Sequence, residues 1–109
     1  MNSKKPAASK RTSLPRQSDY TRQFLKDWQR LTHSGRYDMK RLKEAMLLLL
    51  AHDGPMPPQW LDHALQGPWA GHRECHVGGD FLLIYALAAS GPGEVIVFVR
   101  CGSHADLFS

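Results

Sequence analysis

The stretch His72-Arg73-Glu74-Cys75-His76-Val77-Gly78-Gly79-Asp80-Phe81-Leu82-Leu83-Ile84-Tyr85-Ala86-Leu87 changes character once, at the glycine pair, and that change sets the fold. Before the pair, side chains alternate. His72, Glu74 and His76 fall on one face of a strand, and Arg73, Cys75 and Val77 fall on the other. After it, Phe81–Leu87 is almost continuously apolar, which predicts a central strand buried on both faces. Gly78-Gly79 supplies the turn between them. Further along, Ser90-Gly91-Pro92-Gly93 makes a second turn and the valine-rich Glu94–Cys101 a third strand. Three strands joined by tight turns predict an antiparallel meander. Beyond it, Ser103 can cap one helical turn reaching Phe108.

Towards the N-terminus the period changes from two to between three and four. Tyr20, Phe24, Trp28 and Leu31 share one helical face, and Arg22, Lys26 and Arg30 form a second, basic face. Ser18 or Asp19 can cap this helix, and Ser34-Gly35 breaks it. A second helix spans about Asp38 to His52, with Met39, Leu42, Met46, Leu49 and Leu50 as its buried stripe and Lys40, Arg41 and Lys43 mainly outside it. Gly54, Pro55, Pro57 and Pro58 end the helical half. A short strand can form around Ser13–Gln17, with Pro15 confining it to an edge or a strand start. The expected architecture is α+β: a helical hairpin packed on one face of a small, mostly antiparallel sheet, with a short C-terminal helical turn.

At 109 residues the chain has room for one core. Residues 1–12 lack any apolar period and read as a flexible basic arm, leaving 13–109 as a single domain. No apolar run approaches the roughly 18–20 residues that span a bilayer, and the basic N-terminus lacks the apolar stretch of a secretory signal. The expected location is therefore the cytoplasm, with no membrane partner. Cys75 and Cys101 are too few for a disulfide scaffold, and no CxxC pair suggests a zinc knuckle.

Charge is unevenly distributed. Residues 1–43 carry twelve of the fourteen Lys and Arg against three of the ten acids, a balance of +9; the remainder carries two against seven, a balance of −5. A basic half can grip polyphosphate without reading its sequence. It can equally be an ordinary solvated helix surface.

Four of six histidines, His63, His72, His76 and His104, lie in the C-terminal half. His63 falls in an irregular loop, His76 ends a strand beside a turn, and His104 follows the last strand, so all three can meet at one rim of a meander. Asp62, Glu74 and Asp80 bracket them, and Arg73 and Arg100 are the only basic side chains of that half other than histidine. Histidine moves protons near neutral pH. RNA cleavage needs a base for the 2′-OH, an acid for the departing 5′-oxygen and positive charge beside the phosphorane-like transition state. Histidines with an arginine meet those needs without a metal or other cofactor. A lone histidine is more often a plain surface residue, and His33, His52 and His72 are read so. A zinc site from His63, His76, His104 and Asp80 has suitable ligand types but no compact HxxxH or HxH spacing. Trp60 and Trp69 can stack on bases or pack structurally, the commoner fate, while Tyr85 and Phe98 read as core.

Three ordered segments carry a family resemblance. Asp62–Val77 has the pattern DHxLxGxWxGxRExHV, Asp80–Tyr85 reads DxLLIY, and Arg100–Phe108 reads RxGSHxxLF. Together with Phe24, Lys26-Asp27 and the LxxxMxLL stretch, they resemble the YafQ-like branch of the RelE/ParE toxin superfamily over roughly residues 17–108. The resemblance implies a ribosome-dependent endoribonuclease that cuts mRNA in the ribosomal A site. It also implies an antitoxin partner that neutralises the toxin and brings the complex to operator DNA. Family active-site positions correspond here to His63, His76, Asp80, His104 and Phe108, and Glu74 stands at an acidic position of this branch. Phe81 occupies a place where the family often has tryptophan, so the ring is kept for stacking while the indole N–H is lost.

The expected roles follow. His76 or His63 is the base, His104 the acid, and Asp80 orients a histidine. Arg100 stabilises charge, and Arg73 is either a phosphate contact or a structural ion pair. Phe81, Phe108 and Glu74 contact substrate, and Arg22, Lys26, Arg30, Lys40, Arg41 and Lys43 dock on ribosomal RNA. A non-catalytic toxin on the same fold, such as a gyrase poison or an inactive antitoxin-binding protein, has no need for several proton-transfer groups at one rim. A metal-dependent hydrolase would be stopped by a chelator.

Overall fold

In the computed structural model, residues 16–51, 56–90 and 93–108 are described. The expected arm over 1–12, the strand start at Ser13–Pro15, the end of the second helix at His52–Pro55 and the Gly91-Pro92 turn lie outside them.

Five strands form one sheet in the order β1-β5-β4-β3-β2. They are β1 (Gln17–Tyr20), β2 (His63–Ala64), β3 (Arg73–Gly78), β4 (Phe81–Ser90) and β5 (Gly93–Gly102), with helices α1 (Arg22–Ser34), α2 (Met39–Ala51) and α3 (His104–Phe108). The meander β3-β4-β5 is antiparallel as expected. The chain adds an edge strand at each side: β1 runs parallel to β5, and β2 antiparallel to β3.

The start of α1 differs from the expectation. Residues 17–20 pair with Val95–Phe98, so Ser18 and Asp19 are strand residues and cannot cap a helix. Thr21 takes that role: its hydroxyl oxygen accepts the Phe24 N–H at 2.9 Å while donating to the Val99 carbonyl at 2.7 Å. One side chain thus caps α1 and ties it to β5. Tyr20 is consequently an exposed strand residue rather than part of the helical stripe. Gly35, at φ 69°, ends α1 in the left-handed conformation that closes helices.

The helical hairpin covers one face of the sheet. Phe24, Leu31, Leu42, Ala45 and Leu49 pack with Cys75, Val77, Leu83, Tyr85, Ile96 and Phe98, joined by Trp60 and Met56. A smaller cluster of Leu82, Ile84 and Leu107, flanked by Leu65, Trp69 and Val99, sits on the opposite face. Leu82, Leu83 and Ile84 are all fully buried, as the apolar run predicted. Alternation in β5 slips once. Tyr85 pairs with Phe98 but Ile84 with Arg100, leaving Val99 as an extra residue. This bulge lets both Phe98 and Cys101 reach the helical side.

Burial pushes both thiols, Cys75 and Cys101, up to about 12, which keeps them protonated and removes them from nucleophilic chemistry.

Candidate active site

The small sheet face opposite the helices carries the chemistry. Directly paired residues on neighbouring strands share a face, and Glu74 pairs with His63 on β2 and Ile84 on β4, while His76 pairs with Leu82. The alternation in His72–Val77 therefore holds, with Glu74 and His76 on this side and Cys75 and Val77 in the helical core.

Glu74 is buried, and one of its oxygens lies 3.4 Å from Nε2 of His63 and 3.6 Å from Nε2 of His76. The Nδ1 of His63 donates to the Leu61 carbonyl at 2.7 Å, since a carbonyl can only accept. Both nitrogens of His63 are thus engaged, whereas Nδ1 of His76 has no partner among the described residues. Leu61 adopts φ 52°, a left-handed conformation costly for a side-chain-bearing residue, and this turn aims its carbonyl at His63. The loop is held from below by Asp62, which accepts from the Tyr85 hydroxyl at 2.6 Å and the Arg73 Nε at 3.3 Å.

His104 opens α3. Its Nδ1 donates to Asp80 Oδ1 at 2.6 Å, and its backbone N–H donates to the same oxygen at 2.9 Å. These two bonds hold the Asp80 carboxyl below its ordinary value, the backbone one most strongly. Nε2 of His104 has no partner among the described residues. Ring centroids run on from histidine to histidine: His63–His76 at 6.1 Å, His76–His104 at 6.3 Å, then His104–Phe108 at 5.9 Å and Phe108–Trp69 at 6.1 Å. The row ends at His72, which meets the Trp69 ring edge-on and its carbonyl at 3.2 Å.

The α3 turn is held by a reciprocal cap. Ser103 N–H donates to Asp106, and Asp106 N–H donates to the Ser103 hydroxyl oxygen, each at 3.1 Å. Gly102 sits at φ 151°, and a Cβ there would come within 2.9 Å of Asp106 Oδ2. Arg30 of α1 bridges Asp106 and Asp27 at 3.4 Å each, so the first helix braces the turn that carries His104.

Of the expected site residues, the fold brings His63, Glu74, His76, Asp80, His104 and Phe108 together. Several others it commits elsewhere. Phe81 lies in the helical core, edge-on to Tyr37 at 4.9 Å, so its ring is not an open stacking platform beside the histidines. The exposed Phe108 ring and the half-buried Trp69 supply that platform instead. Arg73 forms a structural pair with Asp62, one of the two roles expected for it. Arg100 is gripped by Asp27 through Nε at 2.8 Å and Nη2 at 3.0 Å. Arg41 donates to the Val77 carbonyl at 3.0 Å and lies over the Trp60 ring, which ties it to the fold. Arg30 has the bracing role already given. Arg22, Lys26, Lys40 and Lys43 are exposed.

Asp27 and Asp62 escaped the sequence reading as site supports. The signal for Asp27 was its place on the α1 stripe between Phe24 and Leu31, since a carboxylate on a buried face needs a cationic partner. His63, Glu74 and His76 offer three ligand atoms within 4.8 Å of one another, a donor set able to hold a transition metal. That trio differs from the His63, His76, His104 and Asp80 set considered from sequence, because Asp80 is bound to His104.

A row of histidines, each oriented by a carboxylate or a carbonyl and flanked by the Phe108 and Trp69 rings, gives an α+β scaffold with a surface set of groups able to transfer protons. Residues 16–109 match the family described as "Bacterial toxin of type II toxin-antitoxin system, YafQ", and the chain belongs to that family. It is 39% identical over 95 residues to the mRNA interferase toxin YafQ of Escherichia coli strain K12, covering 87% of this chain and 98% of that one. The crystal structure of YafQ from E. coli strain BL21(DE3) is similar at a TM-score of 0.76 and 38% identity, covering 86% and 99% of the two chains. YafQ in the crystal structure of the E. coli DinJ–YafQ toxin–antitoxin complex gives 0.74 and 38%, covering 88% and 100%. Among the described residues, no helix is long and apolar enough to cross a membrane.

Proposed function

We propose that this chain is an mRNA interferase, the toxin of a type II toxin–antitoxin pair, which cuts mRNA in the ribosomal A site by acid–base catalysis without a metal. The observation that carries the reading is the His104–Asp80 contact with His76 as the neighbouring ring. Asp80 holds His104 through Nδ1, and the protonated ring can deliver its Nε2 proton to the leaving 5′-oxygen. His76, with Nδ1 unpartnered, is the better base than His63, whose two nitrogens are both engaged.

In the reaction, His76 takes the proton of the 2′-OH and the 2′-oxygen bonds to phosphorus. The P–O5′ bond breaks as His104 delivers its proton, leaving a 2′,3′-cyclic phosphate and a 5′-OH end. Glu74 holds His63 and His76 in register. Arg100 is the proposed source of positive charge through Nη1, the terminal nitrogen not spent on Asp27. Phe108 with Trp69 stacks a base. Arg22, Lys26, Lys40 and Lys43 dock on ribosomal RNA, which places the protein in the cytoplasm. The partner is an antitoxin, by analogy with the DinJ–YafQ complex, and operator DNA is reached only through that assembly.

Induced expression followed by mapping of mRNA ends tests this reading. Wild type should arrest growth and leave in-frame cuts, while His104→Ala and His76→Ala should do neither. Undiminished cutting by His104→Ala would remove it from the mechanism.

A further inference from the structure

A second surface adjoins the histidine row and has no part in the chemistry above. Arg36, Tyr37, Asp38 and Arg41, from the α1–α2 turn and the first turn of α2, face Val77, Gly78, Asp80 and Phe81 at the β3–β4 turn across a cleft of about 380 Å³. This size lies within the ~300–1,000 Å³ usual for small-ligand sites. Asp80 belongs to both places, since the carboxylate that lines the cleft is the one bound to His104. The cleft thus meets the histidine row at Asp80.

The cleft holds two arginines and two aspartates, and one of the four charged side chains, Arg36, is uncommitted among the described residues. Asp38 is spent on the first turn of α2, where it accepts the Arg41 N–H at 3.0 Å. Asp80 is spent on His104. Arg41 is oriented by the Val77 carbonyl, by the Trp60 ring and by an ion pair with Glu44 at 3.5 Å. The Arg36 guanidinium has no partner among the described residues. Tyr37, half-buried and fixed edge-on by Phe81, supplies a ring beside these cations. One ring with one free and one pre-oriented guanidinium is the pairing that binds a base and its phosphate.

We propose that this cleft is a substrate subsite. It takes the mRNA nucleotide next to the scissile phosphate, stacking its base on Tyr37 and pairing its phosphate with Arg36, assisted by Arg41. The proposal rests on the nuclease reading and adds to it a residue set that selects and positions the strand. Phe81, expected from sequence to touch substrate directly, acts here from behind by fixing the Tyr37 ring.

The test uses the full-length toxin on ribosomes programmed with a defined mRNA carrying 4-thiouridine beside the cut site. Arg36→Ala should raise KM roughly five- to tenfold with kcat within about twofold, and flatten the salt dependence by about one phosphate contact. Arg36→Lys should recover most of the loss. Irradiation should link the thiouridine to the segment 36–41. An unchanged KM and salt slope for Arg36→Ala would overturn the subsite, as would cross-links from that segment to ribosomal RNA alone. The nuclease reading fails separately, if His104→Ala still cleaves, and the thiouridine cross-link is read in that variant as well.

Discussion

Oδ1 of Asp80 accepts two hydrogen bonds from one residue, the backbone N–H of His104 at 2.9 Å and its Nδ1 at 2.6 Å. A turn residue at the end of β3 thereby fixes both the start of α3 and the tautomer of the imidazole it carries. The first prediction concerns its titration. The two bonds lower the Asp80 carboxyl from its ordinary 3.8. A depressed carboxylate stabilises the fold above its unfolded value, and that stabilisation is lost as pH falls through the lower folded value. Carboxyl NMR should show Asp80 titrating below 3.8, with the midpoint returning towards 3.8 in His104→Ala.

Asp80→Asn keeps the shape but removes the carboxylate that holds Nδ1 of His104. Cleavage should fall on the order of tenfold or more, because His104 loses the partner that orients it as the general acid. Cleavage at the wild-type rate would mean that Asp80 has no part in positioning His104.

The pair between Asp27 and Arg100 joins α1 to the end of β5, with the Cys101 N–H as a further donor to Asp27 at 3.2 Å. Asp27 is buried, so Asp27→Ala leaves a guanidinium without its counter-charge and should cost on the order of 3 kcal/mol in urea unfolding. Arg30→Ala, at a half-exposed bridge, should cost less than about 1 kcal/mol. It should nonetheless lower cleavage several-fold, because α3 loses its brace, and hydrogen exchange in Leu107 should speed up.

Gly102→Ala places a methyl group 2.9 Å from Asp106 Oδ2 on a backbone that side chains rarely adopt. The expected cost is about 1–3 kcal/mol, together with loss of the α3 cap and of cleavage. Circular dichroism and mapped mRNA ends read the two effects separately.

If proton transfer is carried by histidines, cleavage on ribosomes should survive a zinc-selective chelator that leaves ribosomal magnesium in place. Loss of activity on chelation, restored by added zinc, would instead give His63, Glu74 and His76 to a metal.

The meander, the two faces of β3, the burial of Leu82–Ile84, the Gly35 break and the Ser103 cap were all legible in the chain, because each follows from local period or backbone chemistry. So was the set of His63, His76, Asp80 and His104, although composition left it beside the ordinary reading of surface histidines until the ordered motifs were read. The edge strands were not legible at full length. Gln17–Tyr20 is four residues long, without an apolar alternation, and forms only because β5 offers an unpaired parallel edge.

What the sequence determined by itself was which residue types could meet on a sheet of this kind, since strand alternation and turn chemistry are properties of neighbours along the chain. The tertiary structure alone decided their partners. Asp27 and Arg100 are far apart in sequence, as are Asp62 and Tyr85, and a charge or hydroxyl finds its counter-group by packing rather than by spacing. That is why Arg41 became a structural residue, Arg30 a brace for α3 and Phe81 a core residue behind Tyr37, while the small face kept three histidines, two carboxylates and the exposed ring of Phe108.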